Sequence, residues 1–594
     1  MSDEAVPTDD STDGTERPRR RGIRLTLWII GGLVLILGGL GTWVALDALR
    51  ARDALTELTT AVPALLDDAR NHPEAVADRV GTIQATTARA MSATTGPHWT
   101  IAGWLPWIGD NTRALQTVTA NVDRLAVDGL PGLATAVSSL TPAQLGPRDG
   151  RIDTAPLREV HDQVVAGSEA VDQAHAAVAG IDRAPLIPQL AEAVGKLADE
   201  LAEARELTSS AAAAVTLIPA LLGADGARDW LVLAQNNAEL RATGGIAGAA
   251  LLLHADDGEL TIAQQRSSGQ FGPYQSPVLP LTDAERVLFS ADLGLFIQDV
   301  NLTPDFPRSA ELAVTMWQQE TGDSPAIVLS LDPVALAGFL AATGPVTFDD
   351  PLGKSITLDA DNAASFLMSD IYARYQRPAD QDAVFALASQ AVLKEVMSSS
   401  ADPTALIRAV TDSIGRHRLL MWSADERERG LLDQVGTTGA LRGDVETRHG
   451  TAPAVGVFLN LTTASKTGYY LDSVAELTDE VAQPDGTRSY TLRARLTSLL
   501  EPGEAANLPD YVQADNSDGV IQVNVLAYAP TGGLVVAAPA DWPGFTTTHD
   551  ELAVSAQTIA VQPGEAVELS WQITTGPDQP GEPVVRLTPG ARDR

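Results

Sequence analysis

Residues 235–245, QNNAELRATGG, form a dense polar cluster between two apolar runs. The flanking runs, Trp230–Ala234 and Ala249–His254, have the composition of β-strands. Polar side chains that follow a strand of an α/β protein lie where such proteins tend to bind ligands, and the two glycines allow the backbone to approach an anion. A polar loop with a Gly-Gly turn explains the same residues. The cluster therefore predicts the end of a strand, as a binding site or as an ordinary loop.

Composition bounds the size and the class of the protein. With 594 residues, the chain exceeds what one hydrophobic core usually supports, so two or three domains are expected. The formal net charge of -36 argues against binding of nucleic acid through a broad basic surface. Any phosphate-bearing ligand would then need a few local arginines or a metal. Because the sequence has no cysteine, disulfides, thiolate metal sites and thiol catalysis are excluded.

The beginning of the chain predicts a membrane anchor. Leu25–Leu46 carries no charge, has Trp28 and Trp43 near its ends, and is long enough to cross a hydrocarbon core of roughly 30 Å. Several arginines stand directly before it, so the amino terminus is expected to be cytoplasmic. Residues 1–24 are expected to form a disordered tail. A cleaved signal peptide is the alternative interpretation. The expected location is the plasma membrane, with one crossing and the bulk of the chain extracellular.

Residues 47–224 predict a helical stalk or bundle. Apolar residues recur there at steps of three and four, as at Leu55, Leu58, Val62 and Leu65. This is the spacing of one buried helix face, so the expected use of these residues is packing between helices.

One interruption of this helical segment concentrates tryptophan. The stretch WTIAGWLPW, residues 99–107, has a tryptophan at its start, its middle and its end. Two interpretations stay open: the stretch enters the outer membrane interface, or it packs the bundle onto the next domain. Pro106 and Gly109 favour a tight, packed loop over an amphipathic helix.

The hydrophobic period changes after residue 224. Strand-like and helical runs alternate over residues 225–424, which predicts an α/β domain. It includes a hairpin around Asp256-Asp257-Gly258 and helices over Pro307–Glu320 and Pro333–Thr343. Residues 450–590 consist of short strand-like runs between Pro-, Gly- and Asp-containing turns, which is typical of a β-sandwich. The predicted fold class is α+β with several domains: a transmembrane helix, a helical stalk, an α/β domain and a β-sandwich.

No established catalytic motif is present, since the sequence lacks a P-loop, the zincin helix motif and a nucleophile elbow. Residues 299–305, DVNLTPD, instead place oxygen donors at alternate positions. Pro304 and Ala310 stand where a calcium loop needs a glycine and a bidentate acid, so an EF-hand is excluded. The stretch predicts a carboxylate-rich site beside Arg308, or an ordinary helix start that Asp305 caps.

A third polar cluster precedes another predicted helix. It contains Tyr372, Arg374, Tyr375, Arg377, Asp380 and Gln381. Two arginines beside two tyrosines can bind a pyrophosphate and stack on a sugar or on a lipid chain. A solvent-facing helix turn explains the same residues.

Four motifs together resemble a family of membrane-anchored bacterial proteins. They are QNNAELRATGG, DVNLTPDFPRSAELA, SLDPVALAGFLAATGPV and NLTTASKTGYYL. These stretches are similar to the domain-of-unknown-function 4012 family, over roughly residue 99 to the carboxyl terminus. The resemblance implies a cell-envelope protein of a Gram-positive, actinobacterial type, and it implies no established activity.

The order of the polar motifs also resembles that of the LytR-CpsA-Psr envelope transferases. That resemblance implies an arginine-lined pocket for a polyprenyl pyrophosphate, often with magnesium, and transfer of a glycopolymer to peptidoglycan. It matches Arg241 to the first arginine of those enzymes, Arg374 and Arg377 to a later pair, and Asp380 to the acid that follows. Thr243 stands where the family has a metal-associated aspartate, and this departure weakens metal-assisted catalysis.

These patterns give one set of candidate residues and three functions. Asp299 and Asp305 are the candidate catalytic or metal-holding carboxylates, with Mg²⁺ as the candidate cofactor. The candidate ligand-binding residues are Asn237, Glu239, Arg241, Asn301, Arg308, Arg374, Arg377 and Asp380. The expected function is binding of a polyprenyl-phosphate-linked glycan without catalysis. The alternatives are a phosphotransferase that attaches a lipid-linked polymer to peptidoglycan, and a scaffold protein without a small ligand.

Overall fold

A computed structural model describes residues 42–592, except 45, 55, 59, 62, 66, 69–71, 73, 74, 107, 399, 400, 448, 449, 514–518 and 539–541. The expected tail 1–24 and all but the last positions of the expected anchor 25–46 therefore lie outside the described residues. Among the helices that the structure describes, none is both long and apolar enough to cross a membrane.

The described chain is a mixture of helices and strands. The helices are α1 (Val76–Thr94), α2 (Pro97–Ala102), α3 (Gly109–Arg124), α4 (Leu130–Ser139), α5 (Pro142–Leu145), α6 (Ala155–Ala179), α7 (Pro188–Leu221), α8 (Asp283–Phe289), α9 (Phe306–Thr321), α10 (Pro333–Thr343), α11 (Ala363–Ser365), α12 (Ile371–Arg374), α13 (Pro378–Val396), α14 (Pro403–Gly415), α15 (Glu426–Gln434) and α16 (Asp510–Gln513). The strands are β1 (Arg228–Arg241), β2 (Gly244–Asp256), β3 (Glu259–Ser267), β4 (Ile327–Leu331), β5 (Val346–Asp349), β6 (Ser355–Leu358), β7 (Leu419–Ser423), β8 (Asp444–Thr447), β9 (Gly450–Leu461), β10 (Leu471–Ala482), β11 (Arg488–Ser498), β12 (Ile521–Tyr528), β13 (Leu534–Ala537), β14 (Gly544–His549), β15 (Leu552–Val561), β16 (Ala566–Thr574) and β17 (Val584–Leu587).

The chain divides into two compact units, of which the first is helical. This unit holds the described residues up to Ala134 together with Ala170–Leu201. The described residues between 42 and 68 are helical, and α1 runs antiparallel to them. Two polar contacts of α1 fix that direction: Arg79 with Asp68 at 2.6 Å and Arg89 with Glu57 at 2.8 Å. His98 of α2 continues the series with Asp47 at 3.0 Å. Hydrogen bonds also join α3 to α1 in antiparallel order: Thr94 with Thr119 at 2.7 Å and Thr87 with Asp123 at 2.9 Å.

The second unit holds Thr135–Glu169 and the described residues from Ala202 onward. Its first sheet has five strands in the order β3-β2-β1-β4-β7. Strands β1 and β4 are parallel, while the pairs β1–β2, β2–β3 and β4–β7 are antiparallel. The sheet is therefore mixed, because β2 and β3 return as a hairpin meander before the helical connection to β4.

Both faces of the five-stranded sheet carry apolar side chains. On β1, Leu231 and Leu233 face a core that includes Phe306 and Trp317 of α9. The alternate residues, such as Trp230, point to the opposite face and meet side chains of α7. Successive side chains of a strand point to opposite faces, so a continuous apolar run produces a sheet that is covered on both sides.

Residues after 443 form two further sheets that share one core. One has the order β10-β11-β16-β13, and the other has the order β14-β15-β12-β9-β17 with β8 paired to β9. Buried residues of both sheets pack together, including Val457, Val525, Leu492 and Trp571. In addition, Phe458 and Tyr528 on the outer side of β9 and β12 contact the core below the five-stranded sheet. This links the carboxyl-terminal sheets to the first sheet.

The polar cluster 235–245 lies mainly in a strand and not in a loop. Strand β1 continues through it to Arg241, and β2 begins at Gly244. Two irregularities in the pairing of β1 with β2 occur inside the cluster. Gly245 packs so tightly that a Cβ there would lie 2.1 Å from the carbonyl carbon of Asn236. The expectation of a strand that ends at Ala234 was wrong. Polar groups of the cluster find hydrogen-bond partners in neighbouring backbone and side chains, so the strand continues where a polar loop would need solvent.

Candidate ligand-binding cavity

A large apolar cavity lies over one face of the five-stranded sheet, within the second unit. Its volume is about 1570 Å³. Val232, Leu251 and Leu329 belong to its sheet side, and Phe385 of α13 and Ile407 of α14 belong to its helical side. Pockets for drug-sized ligands usually measure roughly 300–1,000 Å³. The cavity therefore has room for a long apolar chain.

Polar lining residues gather at one end of the sheet. The pairing register brings the carboxyl ends of β1 and β3 and the amino end of β2 to the same edge. Lining residues at this edge include several amides and a carboxylate. A tyrosine of α12 and a lysine from the segment after β9 join them. We call this group the polar end of the cavity: Gln235, Asn236, Glu239, Gln265, Ser267, Tyr372 and Lys466.

Lys466 and Glu239 form the charged part of the polar end. The Lys466 Nζ lies 2.9 Å from Glu239 Oε1, and both side chains are mostly buried. The same Nζ lies 4.7 Å from the centre of the Tyr372 ring, a cation–π distance. The Tyr372 hydroxyl accepts a hydrogen bond from the Asn236 side-chain amide. Tyr372 therefore links the strand, the lysine and the cavity.

A buried polar network lies beside the polar end. The Asn237 Nδ2 donates to Asp332 Oδ2 at 3.0 Å, and Arg418 Nη1 lies 2.5 Å from the same oxygen. Burial raises the pKa of Asp332, while the Arg418 guanidinium opposes this rise. Arg418 also donates to the backbone carbonyls of Gly590 at 3.0 Å and Arg592 at 2.9 Å. The network satisfies the Asn237 Nδ2, although the residue is fully buried.

Arg241 and Asp299 pair with each other instead of facing the cavity. The Arg241 Nε and Nη2 donate to Asp299 Oδ1 at 3.0 and 2.7 Å. Burial raises the pKa of Asp299, against the effect of the Arg241 charge. Nearby, Asn301 donates to Thr243 Oγ1 at 3.2 Å and to the Gly245 carbonyl at 2.5 Å. These residues fasten the β1–β2 connection to the segment before α9.

Asp305 caps helix α9, and Arg308 is engaged by a different acid. The Asp305 carboxylate accepts from the backbone N–H of Arg308 at 3.2 Å and of Leu441 at 2.9 Å. Burial raises the pKa of Asp305 to about 6. The Arg308 Nε donates to Glu285 Oε1 at 2.7 Å. Both partners of Asp305 are backbone groups, so its geometry is that of an N-cap.

The third predicted cluster divides into separate contacts. The Arg374 Nη2 lies 3.9 Å from Asp350, and its guanidinium lies over the Tyr375 ring at 5.6 Å. Arg377 pairs with Asp380 on the surface, three residues further along α13. None of these five residues lines the cavity, whereas Tyr372 and Gln381 of the same predicted cluster do.

The structure thus distributes the predicted site residues over four places. Asn237 and Glu239 lie at or beside the polar end, and Glu239 is the candidate residue that lines the cavity. Arg241, Asn301 and Asp299 belong to the β1–β2 connection. Asp305 and Arg308 lie at the start of α9, while Arg374, Arg377 and Asp380 lie around the start of α13.

Lys466 is the charged lining residue of the cavity that the sequence analysis did not predict. It belongs to the motif NLTTASKTGYYL, which reaches the polar end because its glycine allows close packing on β1. A Cβ on Gly468 would lie 2.7 Å from the Ala238 carbonyl oxygen. A lone cation between small polar residues in a family motif was the available signal. The lining helices α13 and α14 gave no comparable signal, since apolar residues of a helix are normally core.

Magnesium has no shared ligand set among the predicted carboxylates. Asp299 is paired with Arg241, and both oxygens of Asp305 accept backbone N–H bonds. More generally, no group of three or more His, Asp or Glu side chains in the described part of the chain could hold a metal ion. These residues do not fit a metal site, so no chemical step is derived through magnesium.

Comparison with known families identifies the segment that builds much of the polar end. Residues 225–372 match the family model "Protein of unknown function (DUF4012)". This segment is similar to the DUF4012 family. The DUF4012 segment contains β1 to β6 and ends at Tyr372, so it supplies Gln235, Asn236 and Glu239. Lys466 and Arg418 come from outside it.

The remaining comparisons add little. No curated protein matches the chain. Among solved structures, the chain is similar to the crystal structure of protein gbs0355 from Streptococcus agalactiae, with 10% sequence identity and a TM-score of 0.25. The match covers 39% of this chain and 83% of that chain.

Proposed function

We propose that the protein is a cell-envelope protein that holds the lipid part of a polyprenyl-phosphate-linked glycan, or of a related envelope ligand, in the cavity without catalysing a reaction. The observation that carries this proposal is an apolar cavity of about 1570 Å³ with polar groups at one end of the sheet. A long lipid chain with a polar head matches this distribution of lining residues, because apolar groups gain about 25 cal/mol for each Å² removed from water.

The polar end supports a ligand whose head is rich in hydroxyl groups. Lys466 can donate to a phosphate or sugar oxygen, and Glu239 can accept from a sugar hydroxyl. The buried Oε1 of Gln265 has no hydrogen-bond partner among the described residues, so a ligand hydroxyl would satisfy it. Lys466 is the cation among the lining residues and is already paired with Glu239. The head contact that we propose is therefore mainly polar, with one cation for one phosphate.

The proposal includes a location and an architecture. The anchor 25–46 would hold the chain in the plasma membrane, with residues 1–24 cytoplasmic and the cavity outside the cell. Residues 225–424 would be a domain of the LytR-CpsA-Psr type, followed by a β-sandwich at 450–590. The support is the charge pattern of the first 46 residues and the order of the polar motifs.

Glycopolymer phosphotransfer to peptidoglycan is the enzymatic alternative. It rests on the motif order, whereas the arginines that would bind pyrophosphate, Arg241, Arg374 and Arg377, contact Asp299, Asp350 and Asp380. A transfer assay on a lipid-linked glycan with magnesium decides between the two. Turnover that depends on Arg241 would replace the binding proposal with the enzymatic one, and a protein that binds lipid without turnover would support binding.

A cavity-filling variant tests the binding proposal. Gly248 lines the cavity, and a Cβ there would meet only the Ala234 carbonyl oxygen, at 3.8 Å. Gly248→Phe should therefore fill the cavity without moving the backbone. Gly338→Phe is the matched control, because Gly338 lies on α10 outside the lining and has no atom within 4 Å of its Cβ position.

The measurement is mass spectrometry of lipids that copurify with the full chain. We expect a prenyl-type lipid with the wild type and with Gly338→Phe, and a severalfold loss with Gly248→Phe. Equal lipid in both variants would place the lipid elsewhere. A wild-type protein that neither copurifies a lipid nor takes up an added polyprenyl phosphate would leave the scaffold function as the remaining alternative.

A further inference from the structure

Exposed apolar side chains cluster at one end of the helical unit. Trp104 is 81% exposed, Ile108 46% and Ile101 44%, and all three lie in or just after α2. Trp99, from the same tryptophan-rich stretch, is 1% exposed and packs in the core of this unit. Trp107 lies outside the described residues. The stretch therefore combines a packing tryptophan with a tryptophan that contacts almost nothing.

The antiparallel contacts place this cluster level with Trp43. Contacts between residues 42–68 and α1 advance from Asp68 toward Asp47 as the chain advances from Arg79 to His98. At the end of this series, the Trp43 and His98 rings stack at 4.2 Å with an angle of 7°. Residues just after His98 therefore lie close to Trp43.

Trp43 itself belongs to the exposed cluster. It is 55% exposed, and it is the last aromatic residue of the apolar run. Val44, the neighbour of Trp43, and Ala102, two residues before Trp104, belong to the same buried cluster. Trp43 and Trp104 therefore lie at the same end of the helical unit.

Nearby charges are compatible with a lipid surface. The carboxylate of Asp110 is neutralised by Arg113 at 2.5 Å, and Asp47 contacts both Arg50 and His98. Tryptophan is favoured at membrane interfaces because its ring is apolar and its N–H is polar. These charges therefore do not oppose an approach to phospholipid headgroups.

We infer that the turn after α2 is a second membrane contact, which inserts Ile101, Trp104 and Ile108 into the outer interface of the bilayer beside the anchor 25–46. This contact fixes the tilt and rotation of the helical unit, since a single spanning helix leaves both free. The inference rests on the proposed membrane location and is independent of the cavity ligand.

A single-cysteine label tests the inference in the full chain. Because the sequence has no cysteine, Trp104→Cys can carry one environment-sensitive fluorophore. Leu534→Cys is the control, since Leu534 is 62% exposed and lies on β13 of the other unit. The labelled proteins are reconstituted with vesicles of phosphatidylcholine and phosphatidylglycerol, and flotation shows whether the chain is membrane-bound.

The expected result is a blue-shifted emission and a severalfold loss of iodide quenching at position 104 in floated protein, with no change at position 534. If iodide quenches the label at 104 as strongly in floated protein as in protein without vesicles, the inference is overturned. The proposed membrane anchor would then still be supported. Protein that does not float overturns the membrane location and the inference together. A label at 104 that is protected without vesicles would indicate a protein contact and would also overturn it.

Discussion

Arg418→Met should destabilise the second unit strongly, because it breaks a buried ion pair. Arg418 and Asp332 are 6% and 1% exposed in their side chains, and their nearest atoms are 2.5 Å apart. Methionine keeps most of the volume and removes the charge. Asp332 then retains two donors, the Asn237 amide at 3.0 Å and the Ala335 backbone N–H at 2.8 Å.

The expected cost is about 4 kcal/mol of unfolding free energy. Removal of one partner of a buried pair typically costs about 3–5 kcal/mol, since an uncompensated charge remains. The two donors that stay with Asp332 reduce this cost, whereas the carbonyls of Gly590 and Arg592 each lose a donor, at about 1 kcal/mol apiece. These two effects are of similar size and opposite sign, so they nearly cancel and leave the expected cost unchanged.

The cost should also depend on pH. Burial raises the pKa of Asp332 in the folded state, and Arg418→Met removes the positive charge that opposes this rise. A raised pKa of an acid gives stability that is present at low pH and lost as pH rises through the folded-state pKa. Arg418→Met should therefore be closer to the wild type at acidic pH than at pH 8.

The assay is urea unfolding of the full chain at acidic pH and at pH 8, with tryptophan fluorescence as the signal. Arg377→Met is the control, because Arg377 is 74% exposed and pairs with Asp380 on the surface. The double variant Asp332→Asn with Arg418→Met should recover most of the loss, since no buried charge remains. If Arg418→Met unfolds at the same urea concentration as Arg377→Met at pH 8, the buried pair does not stabilise the fold as argued.

Three other outcomes are expected. Asp305→Asn should remove a stability loss of about 3 kcal/mol that the wild type undergoes between about pH 4 and pH 7, because the folded-state pKa is about 6; parallel urea midpoints across that range would contradict this. Gly245→Ala should cost about 3 kcal/mol, since its Cβ would meet the Asn236 carbonyl carbon at 2.1 Å, and a wild-type melting temperature would refute the tight packing. Trp571→Ala should cost about 3–5 kcal/mol in urea unfolding, with Trp571→Phe losing less, because the ring is fully buried between the two carboxyl-terminal sheets.

Local patterns predicted many elements closely. The expected helix Pro333–Thr343 is α10 with the same bounds, and the expected helix Pro307–Glu320 is α9, Phe306–Thr321. Proline at the first turn and an aspartate N-cap mark both starts, so these signals act within a few residues. The β2–β3 hairpin around Asp257 and Gly258 was confirmed for the same reason, since both residues have positive φ.

Long-range placement was not predictable from such signals. Lys466 reaches Glu239 from a segment more than two hundred residues later, and no local pattern encodes that contact. Arg241, Arg374 and Arg377 were grouped because they are arginines in a motif order, but each found a nearby acid in the fold. An ion pair within the structure and a ligand contact use the same residue types, so sequence alone could not separate them.

The bonds from Arg418 to the carbonyls of Gly590 and Arg592 have a consequence for how the protein is made. They span 172 and 174 residues. During synthesis, Arg418 is added long before Gly590 and Arg592. Asp332 and Arg418 therefore lack part of their hydrogen-bond partners until those residues are made. Chain segments with such distant contacts fold slowly. The second unit can therefore complete this network only after residue 592 has been synthesised, and until then its incomplete fold is prone to aggregation.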